Sequence, residues 1–399
     1  MFGDKHLDGT RRRFDNSPMA GTNLVDLLSG VRFGVSYLLS GGEKDAHLKA
    51  KEICYEQTVE FPEDITPAGP IADSIVGKIE EFSAVGGGRF RARISYAIEC
   101  TAGTIVQFLN VVFGNTSMQP GVKVERLFLP NRLIGAFRGP RFGREGLRAF
   151  LGVPSRPLVC AALKPMGLSA AELAEQAYKF ALGGIDLIKD DHGLSDQVFC
   201  RFEERVARCA EAVARAASRT GRRLLYMPNV TAPADRLLPG AYRAKELGAG
   251  AFMVCPGLAG MDAVRVLAED DSIGLPVMAH PAFLGSFVTS EEIGFSHGAL
   301  FGQIMRLSGA DMTVFPNWGG RFSFSREECR QIADACAEEM GGMRTIFPAP
   351  GGGMTTDRAQ DMRDVYGRDF VLLMGGGLHR HSPDLTRNAE YFMEMVSSL

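Results

Sequence analysis

The sequence predicts an α/β protein: a (β/α)8 TIM barrel over residues 146–399, preceded by a smaller α+β, ferredoxin-like domain over residues 1–145. Three observations predict it. From about residue 157 onward, short apolar runs alternate with helix-like stretches rich in Ala, Glu and Arg. The first ~145 residues lack that alternation. Gly triplets follow the last two apolar runs, at 351–353 and 375–377.

The apolar runs are 158–163, 185–188, 224–227, 251–254, 276–279, 312–315, 345–347 and 370–374. Amphipathic segments lie at 170–181, 202–218, 237–247, 261–268, 326–340 and 357–366. Strands alternating with helices imply parallel βαβ units, and eight such units close a barrel. An open doubly wound sheet would carry a G-x-G-x-x-G after its first strand, and none stands there. In the first domain, 31–39 and 89–99 read as strands, 44–55 as a helix and Gly86-Gly87-Gly88 as a turn. The boundary falls in the Gly- and Arg-rich stretch 135–152.

Composition narrows the function. The 399 residues carry a net charge of only -3, so a phosphate-tracking nucleic-acid surface is not expected. No apolar run approaches the ~20 residues that span a bilayer, and the start has no signal-peptide core. The Arg11-Arg12-Arg13 triplet reads as a solvated loop. Eight scattered Cys without a C-x-x-C pair read as reduced, mostly buried thiols, which implies a cytoplasmic protein. No H-E-x-x-H helix is present.

Barrel enzymes place working residues at the C-terminal ends of their strands. Those ends supply Lys164, then Lys189-Asp190-Asp191-His192, Asn229, Cys255, His280, the segment 316–321 and the two Gly triplets. Strand periodicity sets Lys189 and Asp191 on one side and turns Asp190 away. The loops after the seventh and eighth strands commonly cradle phosphate, because Gly lets backbone N–H groups approach an anion. Gly294-Phe295-Ser296-His297-Gly298 matches the G-x-S-x-G elbow, but the polar stretch 289–292 before it is no strand. Ser296 is expected to cap a helix running to Leu307 instead.

At this point the residues resemble a known family. Gly183-Gly184-Ile185-Asp186-Leu187-Ile188-Lys189-Asp190-Asp191 resembles the metal-binding segment of the RuBisCO large subunit. Leu163-Lys164-Pro165 resembles its first-strand lysine segment, Val277-Met278-Ala279-His280 its strand-five histidine segment, and 306–311 the approach to strand six. The Gly triplets resemble its phosphate loops, and 110–114 resembles its active-site asparagine segment with one extra residue. The resemblance implies Mg2+ held by a carbamylated Lys189 with Asp191, and His192 as third ligand or hydrogen-bonding neighbour. It implies Lys164 to stabilise or protonate an enolate, His280 to orient substrate or shuttle a proton, and Gly352, Gly353, Gly375 and Gly376 to bind phosphate. A homodimer with shared sites is implied too, with Gln57-Thr58 and 114–118 reaching the partner's mouth.

The departures are as informative. His192 replaces the family's glutamate ligand, Met166 its second lysine, Pro281 an arginine and Val314 a histidine; Gly351 replaces a serine. These changes resemble the RuBisCO-like, non-carboxylating form IV group, acting on a sugar derivative with one phosphate. Arg321 stands where the family has its mobile-loop lysine, and its guanidinium fork suits a carboxylate. The leading expectation is therefore decarboxylation of a phosphorylated β-keto sugar acid. Enolisation or 1,3-proton transfer on a methylthio-sugar phosphate in sulfur salvage is the alternative, and a catalytically silent scaffold is the third reading.

Overall fold

The computed structural model describes residues 23–320, 322, 324–351 and 358–397. It contains two sheets. In the first, strands β1 (Arg32–Ser40), β2 (Lys78–Gly86), β3 (Arg89–Ala97) and β4 (Val122–Phe128) are antiparallel, with β1 between β3 and β4. Phe33, Val35, Tyr37 and Leu39 alternate along β1 and are all buried, which is the period-2 pattern of a strand with one covered face. Helices Glu43–Glu56 and Ile105–Phe113 contribute to the same core. The β2–β3 turn runs through Gly86, Gly87 and Gly88, all at positive φ, as the expected turn requires.

The second sheet is the expected barrel. Its strands are β5 (Leu158–Leu163), β6 (Leu187–Asp190), β7 (Leu225–Met227), β8 (Phe252–Val254), β9 (Val277–Ala279), β11 (Met312–Pro316), β12 (Phe347–Gly351) and β13 (Val371–Met374). All their pairings are parallel. Between β7 and β8 the ring is completed by Met253 N–H to Pro228 O at 3.0 Å and Val230 N–H to Met253 O at 2.9 Å. The short β10 (Gly294–Phe295) leaves the barrel and pairs with β4, joining the two sheets. Gln303 strengthens that junction by bonding both the N–H and the C=O of Leu127.

Alternation along the barrel strands sorts side chains into two layers. Leu158, Cys160, Leu187, Leu225, Met227, Met253, Met312 and Phe347 form one cluster, filling the lumen. Val159, Ala161, Ile188, Tyr226 and Phe252 belong to the other cluster, packed with helix residues. Leu147 and Leu151 of helix Gly143–Leu151 close the lumen's lower end. Capping boxes at Ser169/Glu172 and Ser325/Glu328 start helices Ala170–Leu182 and Arg326–Ala337. No helix among the described residues is long and apolar enough to cross a membrane.

Two expected strands are displaced along the chain. The run 185–188 becomes Leu187–Asp190, and 345–347 becomes Phe347–Gly351. Ser296 caps as expected, its Oγ accepting the Ala299 N–H at 3.1 Å, while residues 294–295 form β10 rather than a barrel strand.

Candidate active site

Register places the site. Lys189 follows Leu187 on the lumen side of β6, whereas Ile188 and Asp190 face the helices. Lys189 is 2% exposed, and its Nζ donates to Asp190 O at 2.8 Å and to Met253 Sδ at 3.2 Å. Burial pushes its pKa down, favouring the neutral amine. Asp191, just past the strand, pairs not with Lys189 but with Lys164, Oδ1 to Nζ at 2.7 Å.

His192 Nδ1 lies 3.4 Å from the same Asp191 oxygen. Its ring stacks on His280, centroids 4.4 Å apart and planes within 14°. Burial alone would raise Asp191. Hydrogen bonds from His192 and Lys164, with the charge of Lys189, outweigh it and hold the carboxyl well below the usual carboxylate range. His280 Nδ1 accepts the Ala282 N–H at 3.2 Å, so in the neutral ring the proton sits on Nε2. Burial, then the positive charge of Lys189, pushes His280 well below its ordinary value. In the ring of eight strands, β5 and β9 stand opposite each other, so Lys164 and His280 face across the mouth.

Asp190 carries a structural role that the sequence did not reveal in full. Its carboxylate, 0% exposed, accepts Arg205 Nε at 3.0 Å, Tyr226 Oη at 2.8 Å and the Asn229 N–H at 3.1 Å. Asn229 Nδ2 in turn donates to His192 O and Leu194 O, both at 2.9 Å. The loop carrying Asp191 and His192 is thereby tied to a buried ion pair. Arg205 lies on helix Phe202–Thr220, and no motif marks it.

Of the expected phosphate loops, the one after β13 is described. Gly375 lies against Lys164: a Cβ there would stand 3.5 Å from Lys164 Cε. Gly352, Gly353 and Arg321 lie outside the described residues, as does the Arg11-Arg12-Arg13 triplet. Val314 is buried in the lumen, and Pro281 carries no side-chain donor.

In the first domain, Gln57 does not project toward a partner. Its side chain is bound within its own domain, to Asn110 O, Val111 O and Thr116, and it is buried. Asn110 is exposed on helix Ile105–Phe113, and Met118 is 77% exposed.

Among the described residues, no group of three or more His, Cys, Asp or Glu is placed to hold a metal. The site nevertheless fits a divalent cation once Lys189 is carbamylated. Asp191 Oδ1 and His192 Nδ1 stand 3.4 Å apart, and an ion between them, with bonds roughly 2.1 Å long, would replace the hydrogen bonds that this oxygen now accepts from His192 and Lys164. A carbamate adds the second anionic oxygen donor, and the neutral amine it needs is the form that burial favours. With one imidazole, the set is softer than all-oxygen magnesium sites.

Known proteins resemble this chain in sequence and fold. Residues 144–390 match the family of the ribulose bisphosphate carboxylase large chain, catalytic domain. The chain is 37% identical to ribulose bisphosphate carboxylase-like protein 1 of Rhodopseudomonas palustris, over 92% of this chain and 98% of that protein. It is 34% identical to 5-methylthioribulose-1-phosphate isomerase of Rhodospirillum rubrum, over 92% of this chain and 96% of the relative. A crystal structure of a Rubisco-like protein from Rhodopseudomonas palustris superposes with a TM-score of 0.83 at 36% identity, covering 92% of this chain and 98% of that one. With the two-sheet architecture and the lysine–aspartate mouth in place, the chain belongs to the RuBisCO large-chain family, among its RuBisCO-like members.

Proposed function

We propose that the protein catalyses a 1,3-proton transfer on a singly phosphorylated methylthio sugar, the kind of sugar on which its Rhodospirillum rubrum relative, 5-methylthioribulose-1-phosphate isomerase, is named to act. The observation that carries the reading is the convergence of the Lys164–Asp191 pair and the His192–His280 stack on one mouth, against Gly375. Decarboxylation, the leading expectation from sequence, rested on Arg321, which lies outside the described residues. The relative named as an isomerase of 5-methylthioribulose-1-phosphate favours the alternative.

Each residue has a task. Gly375 and Gly376, with Gly352 and Gly353, take the single phosphate through backbone N–H groups. Pro281 and Val314 offer no donor for a second phosphate, so ribulose bisphosphate is a poor ligand and is not carboxylated. His280, neutral and protonated at Nε2, donates a hydrogen bond to the substrate carbonyl oxygen and orients it. Asp191 fixes Lys164 Nζ at the mouth at 2.7 Å, and Lys164 Nζ takes the proton from one substrate carbon and returns it to the carbon two positions along, so the shift conserves protons. Carbamylated Lys189, Asp191 and His192 would hold Mg2+. When bound, the ion supplies positive charge beside the developing enolate. The protein works as a cytoplasmic homodimer, the first domain of one copy excluding water from the mouth of the other through 114–118.

Two assays separate the readings. The proposal expects conversion of methylthioribulose 1-phosphate to an isomer without gas release. Release of CO2 from a phosphorylated β-keto sugar acid, with no turnover of the methylthio sugar, would overturn it.

A further inference from the structure

We propose that Leu258 and Phe283 form an apolar clasp that holds the substrate's methylthio end and sets the enzyme's preference for it. The inference rests on the proposed methylthio-sugar reading and adds the residues that select the tail.

Position comes first. The barrel ring runs β13-β12-β11-β9-β8 in one direction and β13-β5-β6-β7-β8 in the other, so β8 stands four strands from β13 either way. The loop after β8 is therefore diametrically opposite the glycine loop after β13. A sugar anchored by its phosphate at Gly375 and Gly376, with its reacting carbons between Lys164 and His280, points its far end at the loops after β8 and β9.

Those loops are in contact. A Cβ on Gly257 would fall 2.5 Å from Ala282 O, so only glycine allows them to approach this closely. Ala282 N–H is also the donor that fixes His280 Nδ1, which places Phe283 one residue beyond a contact of the reacting centre.

Neither side chain is there for the core. Leu258 is 59% exposed and Phe283 70% exposed. Phe283 also sits at φ 70, a left-handed conformation in which a bulky residue is a true outlier. Packing does not account for an aromatic at an exposed, strained position, whereas an apolar ligand group does. A thioether is small, apolar and polarizable, and sulfur makes favourable contacts with aromatic rings.

The test compares methylthioribulose 1-phosphate with its analogue bearing hydrogen in place of the methylthio group. Wild type is expected to favour the methylthio sugar in kcat/KM. Phe283→Gly, which suits the backbone, and Leu258→Ala should each shrink that ratio about 10-fold, a typical discrimination for one apolar group. Phe283→Gly should do so without lowering Tm, which separates lost tail binding from unfolding. A ratio that survives both substitutions would overturn the clasp. So would a ratio that survives while sedimentation shows loss of a dimer, since these side chains would then be a contact between copies. Turnover of both sugars without preference in wild type overturns the clasp alone; turnover of neither overturns the methylthio-sugar reading and the clasp with it.

Discussion

Replacing Asp190 with Asn removes one charge from a pair whose two side chains are both 0% exposed. Arg205 would remain as a buried guanidinium, its Nε facing a neutral amide, while its Nη1 keeps Ser195 O at 2.7 Å and Cys200 O at 3.2 Å. Breaking a buried pair from one side costs about 3–5 kcal/mol, because an uncompensated charge is left in low dielectric. Tyr226 Oη and the Asn229 N–H compete for the one remaining acceptor oxygen, and a donor left unsatisfied adds about 1–3 kcal/mol. Against a typical stability of about 5–15 kcal/mol, Asp190→Asn should leave the protein barely folded at room temperature. Urea unfolding followed by circular dichroism measures this, with an unchanged m-value showing that the folded state stays compact. The double variant Asp190→Leu/Arg205→Met removes both charges and should recover much of the loss. A cost under about 1 kcal/mol for Asp190→Asn, or a double variant no more stable than the single, would refute the reasoning.

Other consequences follow from the same physics. Asp311, itself buried, accepts three backbone N–H groups, those of Phe142, Gly143 and Val277, so Asp311→Ala should cost about 3 kcal/mol or more in the same assay. His297 is pushed down to about 4 by burial, so the unfolded chain takes up its proton first. Stability should be full above about pH 6.5 and fall by about 3 kcal/mol as pH drops to 4, and His297→Phe should abolish that part of the fall. Lys189→Met keeps the lumen filled while removing the amine. It should retain wild-type circular dichroism and lose at least about 100-fold in kcat, together with the response of activity to Mg2+ and CO2.

The barrel was legible where one physical signal dominated. Residues 158–163 are an unbroken apolar run because β5 is covered on both faces, and the structure places the strand on the same residues. β12 was misplaced because Pro348 and Pro350 lie inside it, and proline argues against a central strand. β6 was misplaced because half of its four residues are charged. Lys189 enters the lumen and Asp190 meets Arg205, a pairing across 15 residues that no local pattern encodes. β2 leaves no alternating signal in the sequence because it is an edge strand with no residue buried. At the site, Lys164, Asp191, His192 and His280 were legible because strand ends collect them at one mouth. That Lys164 rather than Lys189 would pair with Asp191 was not, since it depends on the lumen depth of Lys189.

Proton transfer at the Lys164–Asp191 mouth is tested most directly by NMR of methylthioribulose 1-phosphate incubated with the Mg2+- and CO2-treated protein in D2O. An isomerised product carrying solvent deuterium at carbon, or an internally transferred proton when the substrate is labelled beforehand, is expected, and neither with Lys164→Gln. An unchanged substrate, or fixation of labelled CO2 onto ribulose bisphosphate, would contradict it.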